Sequence, residues 1–238
     1  MIGDPRVFSW LSHRAGIKRL DKNPLALIKF QAIENSDEGE LFIKEFGNKE
    51  IKGFVGFIDI VGFSERVKGY TPQKISEYLS PFLTSMINTV AHDSGLVDKT
   101  IGDEVMFILP DVNGAVNVSM MKLVHYIFLR GQKLGSDYPL RLGLSYGSLY
   151  VDKVNGEFSE WTIVGEAVHL AKRLMCEIGD VTSIKGAFGM FIKDTTDTKF
   201  ENIIEWIVGN SLSYQIKGEI NSLKGVSPAK WAILLSKH

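Results

Sequence analysis

The sequence predicts an α+β domain in which a mixed sheet is covered by helices. Three observations carry that expectation. GFVGFIDIV at 53–61 is a nearly continuous apolar run, the pattern of a central strand buried on both faces. LVDKTIGDEVMFIL at 96–109 reads as two strands joined in a tight hairpin at Gly102-Asp103. Elsewhere strand-like runs alternate with segments of helical spacing, so a sheet with one hairpin and helical crossovers is expected.

The elements follow in chain order. Residues 1–20 can form a short amphipathic helix, with Phe8, Trp10 and Leu11 opposite Arg14, Lys18 and Arg19, packing on the domain or on a partner chain. Residues 34–52 are polar and charged, broken only by Leu41, Phe42 and Ile43, and read as a connector. Thus 1–50 is an N-terminal helical segment with its connector, and 51–238 is the domain. After the first strand, Thr71 caps a helix and Pro72 occupies its first turn. Ile75, Tyr78, Leu79, Phe82, Met86, Ile87 and Val90 line its apolar face, Pro81 kinks it, and Gly95 closes it. Beyond the hairpin, 113–134 has helical spacing through Ala115, Val118, Met121, Val124 and Phe128. LRLGLSYGSLYVDKV at 140–154 is strand-like. Residues 164–178 form a helix with Val168, Ala171, Met175 and Ile178 on one face. The C-terminal stretch holds two strand-like pieces around glycine turns, and Trp206 and Trp231 read as core or interface aromatics.

Bulk properties restrict the function classes. The 238 residues are 45% hydrophobic and 23% charged, which suits one sizeable core in a soluble globular protein. A formal net charge of -1 gives no overall field toward nucleic acid or an acidic membrane, so anion binding must be local. One cysteine, Cys176, excludes an internal disulfide and a cysteine-based zinc site. There is no run of eighteen apolar residues and no secretory h-region at the start, so no stable membrane insertion is expected and the cytoplasm is the default location.

Asp59 is the single charge inside the apolar first strand. A buried carboxylate needs a cation, a set of donors or a raised pKa. Taken alone it also fits a structural Asp bonded to loop amides. Asp103, at the hairpin tip, also fits ordinary turn chemistry. Together the two resemble the palm-type nucleotidyl enzymes, in which carboxylates on adjacent strands clamp two metals roughly 3.5–4 Å apart. Mg²⁺ suits such a site because it takes few carboxylates and keeps phosphate oxygens as ligands. The turn Val61-Gly62-Phe63-Ser64 offers backbone amides to phosphates. His169 and Arg173 are four apart and share a helix face, where a guanidinium fork suits phosphate oxygens or simply faces solvent.

FIDIVGFSE, DKTIGDEVMF, LRLGLSYG and WTIVGEAVHLAKRL, in that order, resemble the successive signatures of the class III adenylate and guanylate cyclase catalytic domain. The resemblance runs from about 53 to 235. It implies a ferredoxin-like βαββαβ core with a mixed, mainly antiparallel sheet and flanking helices. It also implies a head-to-tail homodimer with active sites shared across the interface. By that resemblance Asp59, Asp103 and the backbone carbonyl of Ile60 are the metal ligands, with Mg²⁺ or Mn²⁺ as the two cofactor ions. Gly62, Phe63 and Ser64 belong to the substrate-binding turn. Lys99 and Thr162 occupy the base-reading positions, in the combination of the adenylate type. Arg173 matches the arginine that stabilises the transferring phosphate. Lys224 most resembles the triphosphate lysine, with Lys217 as the competing choice. His169 stands where the family has Asn, Ser145 replaces the histidine of the GLHxG strand, and Ser64 replaces a common Thr.

The expected activity is closure of a nucleoside triphosphate to its 3′,5′-cyclic monophosphate and pyrophosphate, with ATP the default. UTP or CTP is the alternative, because small stand-alone cyclases of this type resemble the bacterial pyrimidine cyclases that make cUMP or cCMP as anti-phage messengers. Two further alternatives are a catalytically inactive nucleotide-binding regulatory domain and a diguanylate cyclase, whose GGDEF signature IGDEV resembles faintly.

Overall fold

The structure is a computed structural model that describes residues 37–92, 95–111, 116–135, 137–155, 159–181, 214–217 and 233–236. The expected helix within 1–20, Trp206, Lys224 and Trp231 lie outside the described residues. The elements are α1 (Asp37–Phe46), β1 (Glu50–Ile60), α2 (Phe63–Arg66), α3 (Pro72–His92), β2 (Leu96–Ile101), β3 (Glu104–Pro110), α4 (Val116–Leu134), β4 (Leu140–Asn155), β5 (Ser159–Val164), α5 (Glu166–Val181), β6 (Tyr214–Lys217) and β7 (Ile233–Ser236).

Five strands form one sheet in the order β2-β3-β1-β4-β5. The first four strands in space, read back from β4, give the 4-1-3-2 arrangement of a ferredoxin-like βαββαβ unit, and β5 extends it. Every pairing in this sheet is antiparallel. The expectation of a mixed sheet therefore resolves to an antiparallel one: crossovers α3 and α4 each return the chain to a strand running opposite to its sheet neighbours. β6 and β7 pair separately, also antiparallel.

Both faces of the sheet are covered, which explains why β1 is apolar at almost every position. Phe54, Ile58 and Ile60 point to one side, into a cluster with Phe82, Met86 and Val90 of α3 and Met120, Leu123 and Ile127 of α4. Val55 and Phe57 point to the other, with Met106, Leu149, Ala171 and Met175. The buried stripe of α4 runs through Val116, Met120, Leu123, Val124 and Ile127. Val124 of the stripe expected from the sequence is among them; the side chains of Ala115, Val118, Met121 and Phe128 lie outside the described residues. In α5 the buried stripe is Ala167, Leu170, Ala171, Leu174 and Met175.

Residues 37–46, read as connector, form α1. Its Phe42 and Phe46 are buried in the second cluster with their rings 5.0 Å apart. Two phenylalanines four apart, with Ile43 packed beside them, anchor a ten-residue helix in which Asp37, Glu38, Glu40, Lys44 and Glu45 are charged. At the start of α3, Thr71 Oγ1 accepts a bond from the Lys74 amide at 3.3 Å, as a cap should. The helix continues through Pro81 to His92, and the Gly95 amide then donates to Val90 O at 3.0 Å.

Candidate active site

The C-terminal end of β1 delivers Asp59, and the β2–β3 turn delivers Asp103. Antiparallel pairing of β1 with β3 brings the two together, because Ile58 is opposite Val105 and the hairpin tip therefore lies beside the end of β1. The backbone amide of Ile60 donates to both carboxylates, to Asp59 Oδ1 at 2.9 Å and to Asp103 Oδ2 at 3.2 Å. Asp103 is pushed up to about 7, first by burial and then by its hydrogen bond to, and the charge of, Asp59. Two carboxylates this close hold a proton between them unless a cation replaces it.

A divalent ion fits that donor set. Two convergent carboxylate groups and the neighbouring Ile60 carbonyl are hard oxygen ligands of the kind Mg²⁺ and Mn²⁺ take, and the raised Asp103 acid marks uncompensated negative charge. No group of three or more His, Cys, Asp and Glu side chains suited to a metal occurs among the described residues, so any metal here relies on two carboxylates and leaves positions for a ligand.

Sequence reading missed Arg141. It lies opposite Asp59 in the β1–β4 register, and its Nε donates to Asp59 Oδ2 at 2.7 Å while Nη2 bonds the same oxygen. Asp59 is 5% exposed, so this bidentate grip compensates a desolvated charge and fixes its rotamer. A charged residue near the start of a strand looks solvated in sequence; only the register places it on Asp59.

After β1 the chain turns at Gly62, which has φ 69°, a left-handed conformation that favours glycine, and open space where a Cβ would stand. It caps α2 with no side-chain bond, and the first amides of a helix, here at Phe63 and Ser64, have no partner within the helix. Phe63 is held by a run of rings. Its centroid lies 6.3 Å from Tyr78, which stacks on Tyr138 at 4.8 Å, and Tyr138 Oη donates to Tyr78 O at 2.9 Å. The turn is thereby tied to α3 and to the β4 approach.

Lys99 and Thr162 also meet. Lys99 Nζ donates to Thr162 Oγ1 at 3.2 Å and lies 3.3 Å from Asp98 Oδ2. α5 carries His169, which is exposed, and Arg173, which is half-buried with its Nη1 buried and unbonded. A buried guanidinium nitrogen without an acceptor is costly, and an anionic ligand would satisfy it. α5 lies directly on β4 at Gly143, where an added Cβ would meet Ala171 O at 2.1 Å and the Met175 amide at 2.6 Å. This close approach sets the height of His169 and Arg173. The helix is also pinned by Lys172, whose ammonium bonds the buried carboxylate of Glu104, the residue after Asp103.

The structure therefore brings together Asp59 with Asp103, Lys99 with Thr162, and His169 with Arg173 on one helix. Among the described residues, no hydrogen bond or ion pair joins the first pair to any of the other four. Lys217 falls in β6, paired with Ile233. Ser145, at the departed histidine position, is buried with Oγ unbonded. It lines a recess of about 450 Å³ with Gly147, Val164 and Ala167, apart from the residues above.

No family model matches the chain. It is 28% identical over 123 residues to an adenylate cyclase of Streptomyces coelicolor, covering 50% of this chain and 28% of that protein. To an adenylate cyclase of Streptomyces griseus it is 27% identical over 136 residues, covering 56% and 31%. The chain thus spans about a third of the length of these relatives. Among solved structures, the adenylyl cyclase CyaB of P. aeruginosa superposes with a TM-score of 0.61 at 21% identity, covering 80% of this chain and 96% of that one. The guanylate cyclase domain of RhGC from Catenaria anguillulae, solved in complex with GTP, gives 0.60 at 16% identity, covering 80% and 100%. The fold is that of class III adenylyl and guanylyl cyclase domains, and the resemblance read from the four motifs stands.

Proposed function

We propose that this chain, with the fold and the ordered motifs of a class III cyclase domain, closes a nucleoside triphosphate into its 3′,5′-cyclic monophosphate. The observation that carries the reading is the convergence of Asp59 and Asp103 on the Ile60 amide, with Asp103 raised to about 7. The ribose 3′-oxygen forms a bond to the α-phosphorus, its proton leaves, and the α–β anhydride bond breaks to release pyrophosphate. Asp59, Asp103 and the Ile60 carbonyl would hold Mg²⁺ or Mn²⁺, which when bound would supply Lewis-acid assistance to the 3′-oxygen and neutralise the leaving phosphates.

The chain's own residues do the rest. Arg141 keeps the Asp59 carboxylate aimed. The amides of Phe63 and Ser64 take phosphate oxygens. Arg173 offers its unbonded Nη1 to the transferring phosphate, where donors count most once charge has built up. His169, one turn earlier, donates to the ribose or to the same phosphate, and Lys224 or Lys217 takes the triphosphate. Lys99 and Thr162 read the base, with ATP the default and UTP or CTP the alternative.

Among the described residues, no bond joins the carboxylate pair to the other four residues, which supports a shared arrangement. One protomer supplies Asp59 and Asp103 while its partner supplies Lys99, Thr162, His169 and Arg173, and a homodimer holds two such sites. The test is incubation with ATP, GTP, CTP and UTP separately, with Mn²⁺, and identification of product by mass. A 3′,5′-cyclic monophosphate with pyrophosphate is expected from at least one of them. Binding of nucleotide with no turnover of any would mean an inactive regulatory domain.

A further inference from the structure

This inference rests on the cyclase reading and sharpens its base-recognition site: we propose that Asp98 is the positioning residue that aims Lys99 at the base. In a regular strand, successive side chains point to opposite faces, so neighbours such as Asp98 and Lys99 should not meet. Here β2 carries a bulge. Val97 is opposite Phe107 and Lys99 is opposite Met106, which leaves Asp98 as the extra residue without a partner position. A bulge re-aims the side chains at its site. The result is Lys99 Nζ at 3.3 Å from Asp98 Oδ2, with the Asp98 side chain 2% exposed and the Lys99 side chain 26% exposed.

Lys99 is thus held at two points, by Asp98 and by Thr162 Oγ1 at 3.2 Å. An ammonium has three N–H groups. One donates to Thr162 Oγ1, while Asp98 Oδ2 takes no hydrogen bond from it and holds the ammonium through charge at 3.3 Å, so two are left for a ligand. A free lysine must order a flexible four-carbon stem when it binds; this one is ordered in advance. Every nucleobase offers an acceptor beside a donor, so the donor–hydroxyl pair of Lys99 and Thr162 does not discriminate by pattern alone. Discrimination depends on where the free N–H groups of Lys99 point, and the charge of Asp98 sets that direction. Asp98 touches neither phosphate nor ribose in this account, so its loss should blur the choice of base more than it slows chemistry.

The test is kcat/KM for each of the four triphosphates, with melting temperature, for wild type, Asp98→Asn and Asp98→Ala. The ratio between the best and the second-best nucleotide should fall roughly 5-fold in Asp98→Ala, the upper range of one partly exposed ion pair. The change should lie mainly in KM. Asp98→Asn keeps the shape and loses the charge that holds Lys99, so its ratio should fall nearly as far as that of Asp98→Ala while its melting temperature stays nearer wild type. If Asp98→Ala does not fold, Asp98→Ser, polar but too short to reach Lys99, is judged by the same ratio. A purely structural Asp98 would lower the melting temperature and leave the ratio unchanged, which overturns the inference, as does a wild type that uses all four nucleotides equally. A wild type that cyclises none of them overturns the cyclase reading and this inference with it.

Discussion

Lys99 Nζ donates to Thr162 Oγ1 at 3.2 Å although β2 and β5 stand at opposite edges of the five-stranded sheet. The contact closes because β4 is sixteen residues long and pairs with β1 through its first part and with β5 through its second. The strand twist accumulated along it brings β5 round toward β2. Lys99→Ala should lower kcat/KM for the preferred nucleotide by roughly 10- to 100-fold, the range of one charged hydrogen bond. Thr162→Val should change the ranking of nucleotides with a smaller loss. Steady-state kinetics on the four triphosphates check both, and unchanged values in Lys99→Ala would remove Lys99 from the base site.

Asp103 gives a pH dependence with a definite sign. Its acid is raised from 3.8 to about 7, so the folded chain favours the protonated form, and ionisation costs stability. The stabilising contribution is complete below the unfolded value of about 4 and is lost as pH rises toward 7. The metal-free melting temperature should therefore fall between pH 5 and pH 8 more steeply in wild type than in Asp103→Asn. Mn²⁺ should restore wild type at pH 8 and leave Asp103→Asn unmoved. Equal slopes in the two proteins would contradict the shared-proton account of the pair.

Arg141 is expected to matter for stability as well as for catalysis. Breaking a buried ion pair by removing one partner costs roughly 3–5 kcal/mol, and the lower end applies here because the Arg141 side chain is 22% exposed. Arg141→Ala should lower both the melting temperature and the affinity for Mn²⁺. Arg141→Lys, which keeps the charge and loses the fork, should recover more of the first than of the second. Chemical denaturation and metal titration of the two variants decide it.

His169 is exposed on α5 while Ala167, Leu170 and Ala171 supply the buried stripe, so a packing role is already filled. His169→Ala should lower kcat far more than it raises KM, by roughly 2.7–4 kcal/mol if it donates to a developing charge. His169→Asn should keep more activity than Ala. An Ala variant with wild-type kcat would end that role.

Much of this was legible in the sequence, for identifiable reasons. β1, the Gly102-Asp103 hairpin, β4 and α5 have strong periodicity and clear turn residues. Asp59 stood out because a lone carboxylate in an apolar strand needs an explanation. α1 was hidden because its few apolar residues, Leu41, Phe42, Ile43 and Phe46, are embedded in a charged stretch. Arg141, and the tie from Lys172 to Glu104, depend on strand register and on helix height over Gly143, which no local pattern encodes. The bulge at Asp98 is likewise invisible until β2 is laid against β3.

The central claim is that one chain carries two separate half-sites that complete each other across a dimer. Mixing Asp59→Ala with Arg173→Ala tests it most directly. Each variant alone should make no cyclic nucleotide, since each breaks every site in its own homodimer. After subunit exchange, confirmed by mass, the heterodimer has one site with both half-sites intact and should regain a readily measured fraction of wild-type product. No product from a proven heterodimer, or product from either variant alone, would contradict the account.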